Sequence, residues 1–388
     1  MTNWSELDCD LLSEIANRIN CLRDFIIFGA VCSSWRLVAL PENFKKSTRV
    51  PWLLLDRDRD DHSPRKFLNL SKDVIYGINL PKYNLPIYNL SNRFSIRSNI
   101  KENNYVYSSK GWFLNVDNHS QLYLLNPFSL SRINLPDSFK EIVKHRLLLN
   151  FALSSSPSVA SDFMIMIIYY SHGTMNVGFW KNGDCQWTDV DLKLHTCDLD
   201  ITYHNGRFYI VCDVESGAEY VVHEIDIHNS QFVSISSKFL NLYPSLLHLC
   251  NPYWIVGLSR ELMIVTWGLD YESRDEDGDI KIIEDLYTHF EFIIQEIDFE
   301  KGSCKKVTNL GHEALFLGFN SSFLVDVSNE SKFKSNHIYF AENFQQTYSF
   351  KSSVSVGVYS MMDGSYEPLF SEADSGYRCS SQWIEPRP

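Results

Sequence analysis

The residues with the strongest claim to chemistry are His195, Cys197, His204 and Cys212, imidazoles and thiols of the kind that hold zinc. Their spacing matches no standard zinc pattern, and His and Cys dispersed along strands are ordinarily packed or hydrogen-bonded, so neither a metal nor another cofactor is expected. The chain has no Gly-x-x-x-x-Gly-Lys-Ser/Thr loop to cradle a phosphate, no His-Glu-x-x-His zinc helix and no Gly-x-Ser-x-Gly nucleophile turn. Carboxylates are so abundant that pairing two of them into an acid-base dyad would be arbitrary. The expectation is a chain with no catalytic residues, which binds rather than reacts.

The elements that would position a binding surface begin at the N-terminus. Residues 1–45 carry more apolar surface than so short a segment can bury by itself. Leu11, Leu12, Ile15, Ala16 and Ile19 recur at three- and four-residue steps, which places them on one helical face. Asp10 is positioned to cap this helix, and Asp8 adds negative charge where the helix dipole favours it. A second helix can start at Asp24 and carry Phe25 to Phe28, with Gly29 costing it about 1 kcal/mol relative to alanine. A third can begin at Ser33 or Ser34, with Val31, Trp35 and Val38 aligned and Pro41 ending it. Three helices of this length hold too few residues for a private core, so the segment is expected to dock on something else.

Trp4, Ser5, Leu7, Asp10, Leu11, Leu12, Ile15, Asp24, Val31, Cys32, Trp35 and Arg36 stand in the order, and at about the intervals, of an F-box, which this segment resembles. The resemblance implies docking onto a Skp-type adaptor and, through it, onto the cullin and RING subunits of a ubiquitin ligase. The adaptor-binding or F-box core residues it implies are Leu7, Asp8, Leu11, Leu12, Ile15, Ile19, Val31, Cys32 and Trp35. Asp8 is the clearest departure, standing where the family has proline.

Composition narrows the partners. A net charge of −13 over 388 residues, with no basic cluster, argues against nucleic acid. The longest apolar run, Phe163 to Tyr170, is far too short to span a bilayer, and no signal peptide begins the sequence. No membrane partner is expected, and the nucleus, the cytoplasm or both are the expected locations. Nine dispersed cysteines, an odd number without a Cys-x-x-Cys pair, read as reduced thiols. On the same reasoning, Asn-x-Ser triplets such as Asn118-His119-Ser120 and Asn320-Ser321-Ser322 should remain unglycosylated.

After Pro41 the texture turns to β. Short runs rich in Val, Ile, Phe and Tyr alternate with Asn, Asp, Gly, Ser and Pro clusters, and only Ser138 to Leu148 has a weak helical period. Six strand-turn-strand units recur: Phe67 to Pro81, Tyr123 to Pro136, Phe179 to Val190, Glu224 to Ile235, Glu296 to Leu310 and Gly357 to Leu369. The first two both end in Ile-Asn-Leu-Pro. Recurrence of such units at roughly 40 to 50 residues or a little more is the mark of a β-propeller, so the chain is read as multidomain, a small all-α module over 1–45 followed by an all-β propeller over 46–388. Six blades are favoured. Seven are possible if a blade lies hidden around Leu262-Met263-Ile264-Val265, but an acidic insertion over about 270–285 explains the long interval there.

The larger part also resembles a known group, the plant F-box proteins with a KIB-type β-propeller. The resemblance rests on Ser109-Lys110-Gly111-Trp112 with Leu125-Asn126-Pro127, on Tyr203-His204-Asn205-Gly206-Arg207-Phe208-Tyr209, and on Ala314 through Ser322. Asn336-His337-Ile338-Tyr339-Phe340 and Trp383-Ile384-Glu385-Pro386 complete it. It implies a non-catalytic substrate receptor whose propeller holds an unidentified protein target, and it names no target-binding residue. The tryptophans at 112, 180, 187, 254, 267 and 383 could line a binding face but suit blade cores better. A scaffold or sequestering protein outside any cullin complex, or an enzyme built on the propeller, are the competing readings.

Overall fold

A computed structural model describes residues 4–19, 22–40, 50–55, 64–81, 106–137, 148–171, 174–194, 199–213, 220–228, 231–240, 253–257, 261–269, 290–318, 320–341, 356–370 and 382–385. The named helices lie at the N-terminal end, and the named elements from Trp52 onward are strands. The boundary expected at 45/46, the acidic stretch 270–285 and residues 138–147 lie outside the described residues, while Leu148 opens a strand.

A single 3₁₀ turn over Trp4–Glu6 precedes α1 (Cys9–Arg18), α2 (Leu22–Ala30) and α3 (Ser33–Val38). The cap of α1 is Asp8, not Asp10: Asp8 Oδ1 accepts from Asp10 N at 2.8 Å, and Asp8 O accepts from Leu12 N. Asp10 instead sits in the first turn, where its charge still suits the dipole. Helix α2 also starts earlier than Asp24. Gly29 repays its helical cost through packing, because a Cβ there would stand 2.8 Å from Ala39 Cβ, closer than the end of α3 allows.

The strands form six sheets. Blade 1 runs over Trp52–Ile78, blade 2 over Tyr107–Asn134, blade 3 over Leu148–Leu194, blade 4 over Leu199–Leu240, blade 5 over Tyr253–Val307 and blade 6 over Glu313–Pro368. Each of the six hairpins legible in the sequence is the outer strand pair of one blade. There is no seventh sheet among the described residues. Leu262 to Val265 belong to blade 5, in a strand paired with both Tyr253–Gly257 and Phe290–Asp298. Blade 6 has five strands, two of them, Glu313–Gly318 and His337–Ala341, parallel.

The ring closes between the two ends of the β region. Gln382–Ile384 is the innermost strand of blade 1, pairing Leu53 with Trp383. Closure removes the long free edges an open array of sheets would expose. Trp383 is fully buried against Phe316 of blade 6, their rings perpendicular at 5.1 Å.

Each junction between neighbouring blades has its own apolar core, and strand alternation supplies it. In blade 3, Ile165 and Ile167 pack with Leu114 and Leu124 of blade 2, whereas Met166 and Ile168 pack with Phe208 and Ile210 of blade 4. This is why Phe163 to Tyr170 reads as an unbroken apolar run: a sheet covered on both faces has no polar side. Trp112, Trp180, Trp187, Trp254 and Trp383 are all buried in these junctions. The side chain of Trp267 lies outside the described residues.

Candidate functional site: a docking surface and an axial pocket

The helical module separates its apolar residues into two sets. Leu12, Ala16, Phe25, Phe28 and Val38 form its core, with Leu7, Ile19, Ile26 and Trp35 packed around them. Trp35 ties the parts together, its ring 4.6 Å from that of Phe28 and its Nε1 donating to Trp4 O at 3.1 Å. Ser34 Oγ donates to Ser5 O, a second link from α3 to the first turn. Cys32 is half-buried with Sγ 3.1 Å from Ser34 Oγ, and this contact pulls the thiol pKa below its ordinary value.

Outside that core lies an apolar surface: Leu11 is 56% exposed, Val31 56%, Ile27 51%, Leu37 71% and Trp4 66%, with Ile15 and Leu40 also exposed. Of the residues expected to meet a partner, Leu11, Ile15 and Val31 are available, and exposed Asp8 caps α1. Leu12 is fully buried and holds the module together, because α2 and α3 cover only one side of the predicted stripe. Leu7, Ile19, Cys32 and Trp35 are half-buried. Sequence reading missed Ile27, Leu37 and Leu40, whose exposure depends on how the three helices cross rather than on the period of any one of them.

Phe128 joins the module to the propeller. It packs on the helical core and against Trp52 and Phe67 of blade 1, at ring distances of 5.1 and 5.7 Å. The turn that presents it is built by Asn126, whose Oδ1 accepts from Phe128 N and Ser129 N. The Leu125-Asn126-Pro127 motif thus has a local task, shaping the turn that holds the helices.

A second feature lies on the ring axis. All six blades contribute to one chain of buried hydrogen bonds. Gln382 Nε2 donates to Ser108 Oγ and to Asn320 Oδ1, and Ser108 N also donates to Asn320 Oδ1. Asn320 Nδ2 reaches Asn150 Oδ1 at 3.5 Å, and Asn150 Nδ2 donates to Asp200 Oδ1 at 3.0 Å. Asp200 also accepts from its neighbour Ile201 N and, through Oδ2, from Ile255 N of blade 5. Burial pushes the Asp200 carboxyl up to about 7, although the three donors pull the other way.

Beside this girdle is a pocket of about 50 Å³, lined by Ser109, Lys110, Phe151, Asp200, Tyr203, Ser322 and Glu385 among others. Lys110 reaches it from the positive-φ turn Lys110-Gly111, the backbone geometry of a tight hairpin, and Tyr203 reaches it from the strand Leu199–His204. The sequence offered no signal for the pocket, because isolated Asn, Asp and Ser at the ends of short strands look like turn residues.

Of the zinc-like quartet, His204 and Cys212 are described, and they stand at opposite ends of the hairpin formed by Leu199–His204 and Arg207–Asp213. Cys212 is buried in the blade 3–4 core, its Sγ 3.4 Å from His223 Nε2, and His204 is buried at the edge of blade 4. Burial lowers the His223 pKa to about 4. His195 and Cys197 lie outside the described residues. Among the described residues no three His, Cys, Asp or Glu side chains are placed to share a metal, and no helix is long and apolar enough to cross a membrane.

Six sheets closed into a ring by the strand Gln382–Ile384, with a small helical module seated at Phe128, define a β-propeller protein with an N-terminal helical appendage. Residues 67–360 match the family model described as the KIB1-4 beta-propeller, and the chain belongs to that family. Its relatives in Arabidopsis thaliana include "F-box protein At2g14290", 27% identical with 88% of each chain covered. Another is "F-box protein SKIP23", 22% identical over 84% of this chain and 81% of the relative. Among solved structures, TolB from Acinetobacter baumannii aligns with a TM-score of 0.43 at 11% identity, covering 91% of this chain and 72% of that one. The resemblance to plant F-box proteins with a KIB-type propeller therefore stands.

Proposed function

We propose that this chain is the substrate-receptor subunit of an SCF-type ubiquitin ligase. The exposed apolar face of the helical module docks a Skp-type adaptor, which brings cullin and RING subunits, and the propeller recruits a protein target in the nucleus, the cytoplasm or both. The observation that carries the reading is the division of the N-terminal apolar residues into a closed core and an uncovered surface containing Leu11, Ile15 and Val31. A surface of this kind marks a protein interface. The names of the relatives support it, as does the packing of the module on Phe128, which would couple an adaptor-bound module to the propeller.

The chain supplies no bond-making group in this reading. Its contribution is effective concentration, holding a target lysine near a charged ubiquitin-conjugating enzyme that another subunit recruits. Affinity purification under proteasome inhibition tests it, comparing the native chain with Leu11→Glu/Val31→Glu. Adaptor and cullin should co-purify with the native chain and drop out with the variant, while target proteins remain bound to both. Adaptor recovery without cullin would instead favour a sequestering protein.

A further inference from the structure

Asp200 is the one buried carboxylate among the described residues, and no cation neutralises it. Its three partners are neutral N–H donors, two on Oδ1 and one on Oδ2, so a carboxylate with about four acceptor positions keeps one open on Oδ2. Buried charges are ordinarily paired, and this one lines a pocket. Lys110 and Glu385 at the same pocket carry opposite charges, which leaves the Asp200 charge uncompensated. Ser322, on the pocket wall, has a buried hydroxyl with no hydrogen-bond partner.

We propose that the axial pocket binds a primary ammonium group, delivered by a lysine side chain of the recruited protein and received by Asp200. This rests on the receptor reading above. An ammonium is compact and carries three donors, which the open position on Asp200 and the Ser322 hydroxyl can accept. The methylene stem of a lysine would lie along Tyr203 and Phe323, the partly exposed rings on the pocket wall, as long basic side chains do on apolar walls. A guanidinium suits the site less well: its fork seeks both oxygens of a carboxylate, and Oδ1 already accepts twice.

Thermal unfolding of the full chain, titrated with Nα-acetyl-lysine amide, its Nε-acetylated form and n-butylamine, tests the assignment. The lysine amide should raise the unfolding midpoint saturably, the Nε-acetylated form should not, and Asp200→Asn should weaken the response roughly tenfold or more, as loss of a hydrogen bond to a charged group does. If Asp200→Asn fails to fold, Ser322→Leu, which fills the pocket and leaves the carboxylate in the chain, should abolish the same response. Equal responses to the two lysine derivatives, or a response that survives in a folded variant, would overturn the proposal. Butylamine binding as tightly as the lysine amide would overturn the protein source and assign the pocket to a free amine. Adaptor binding is measured in parallel: an absent amine response with adaptor binding intact refutes the pocket alone, whereas absent adaptor binding refutes the receptor reading.

Discussion

Leu11 and Leu12 are neighbours on α1 with different surroundings: Leu11 is 56% exposed, and Leu12 is wholly buried in a core with Phe25, Phe28 and Val38. The double leucine therefore performs two separate tasks, one in contact with solvent and one in the module core. Leu12→Ala should destabilise the helices by about 2–5 kcal/mol, the range for a buried leucine that leaves a cavity. Leu11→Ala should stay within about 0.5 kcal/mol of the native chain, as surface substitutions do. Hydrogen exchange of the α1 and α2 amides reads both, and equal protection losses in the two variants would refute the division.

Asp8 stands where the F-box pattern has proline, and its backbone explains why either residue serves. Its φ of −58° is one a proline ring adopts, and its side chain caps α1 by accepting from Asp10 N. Asp8→Ala should cost about 1 kcal/mol through the lost cap. Asp8→Pro should cost less, because reduced freedom of the unfolded chain offsets part of that loss by about 0.4–1 kcal/mol. Melting temperatures of the two variants decide the order, and a proline variant weaker than the alanine one would contradict it.

Phe128 should couple the helices to the ring. Phe128→Ala removes a ring shared by the helical core and by Trp52 and Phe67. As the residue is half-buried, a loss of about 2–3 kcal/mol is expected, below the range for a fully buried phenylalanine. Faster exchange in both α1–α3 and the strand Trp52–Leu54 is the predicted signature. A loss confined to the helices would mean that Phe128 does not bridge the two parts.

Asp200 should make stability depend on pH. Its folded pKa of about 7 lies above the ordinary value, so between about pH 4 and 7 the folded chain holds a proton that the unfolded chain has released. Stability from this group therefore rises as pH falls from 7 towards 4, and above 7 the cost of the buried charge is present in full. Lys110, Tyr203 and Glu385 line the same pocket and are unchanged in Asp200→Asn, which cancels their own titration in the comparison. Relative to that variant, the native chain should gain about 2 kcal/mol between pH 8 and 5.5, at about 1.4 kcal/mol per pKa unit. A difference that does not vary with pH would contradict the shift.

Trp383 closes the ring, fully buried against the stacked Phe316 and Tyr339, on a strand paired with Trp52–Leu54. Trp383→Ala should cost about 3–5 kcal/mol, the range for a buried aromatic side chain. Chemical denaturation measures it. A cost under about 1 kcal/mol, the scale of a surface change, would mean that closure does not depend on this residue.

The sequence made the outer hairpins legible because an outer pair joins two alternating strands through a turn rich in Asn, Asp and Gly, as Phe179 to Val190 does. The inner strands were harder to see. Tyr107–Ser109 and Gln382–Ile384 are three residues each, and the partner of the latter lies at the far end of the β region. The axial girdle was illegible for the same reason, since Ser108, Asn150, Asp200, Asn320 and Gln382 meet only when the ring closes. In the helical module the period marked Leu11 and Leu12 as one stripe. Which of them is covered depends on where α2 and α3 cross, and that follows from the close approach at Gly29 and Ala39.

If the uncovered helical face docks an adaptor, purified full chain should bind purified Skp-type adaptor with an affinity that depends on that face. Native protein should bind, and Leu11→Ala/Ile15→Ala/Val31→Ala should bind at least about tenfold more weakly, a loss of about 1.4 kcal/mol, with its melting temperature unchanged. An unchanged affinity in that folded triple variant, or no binding by the native chain, would contradict the account.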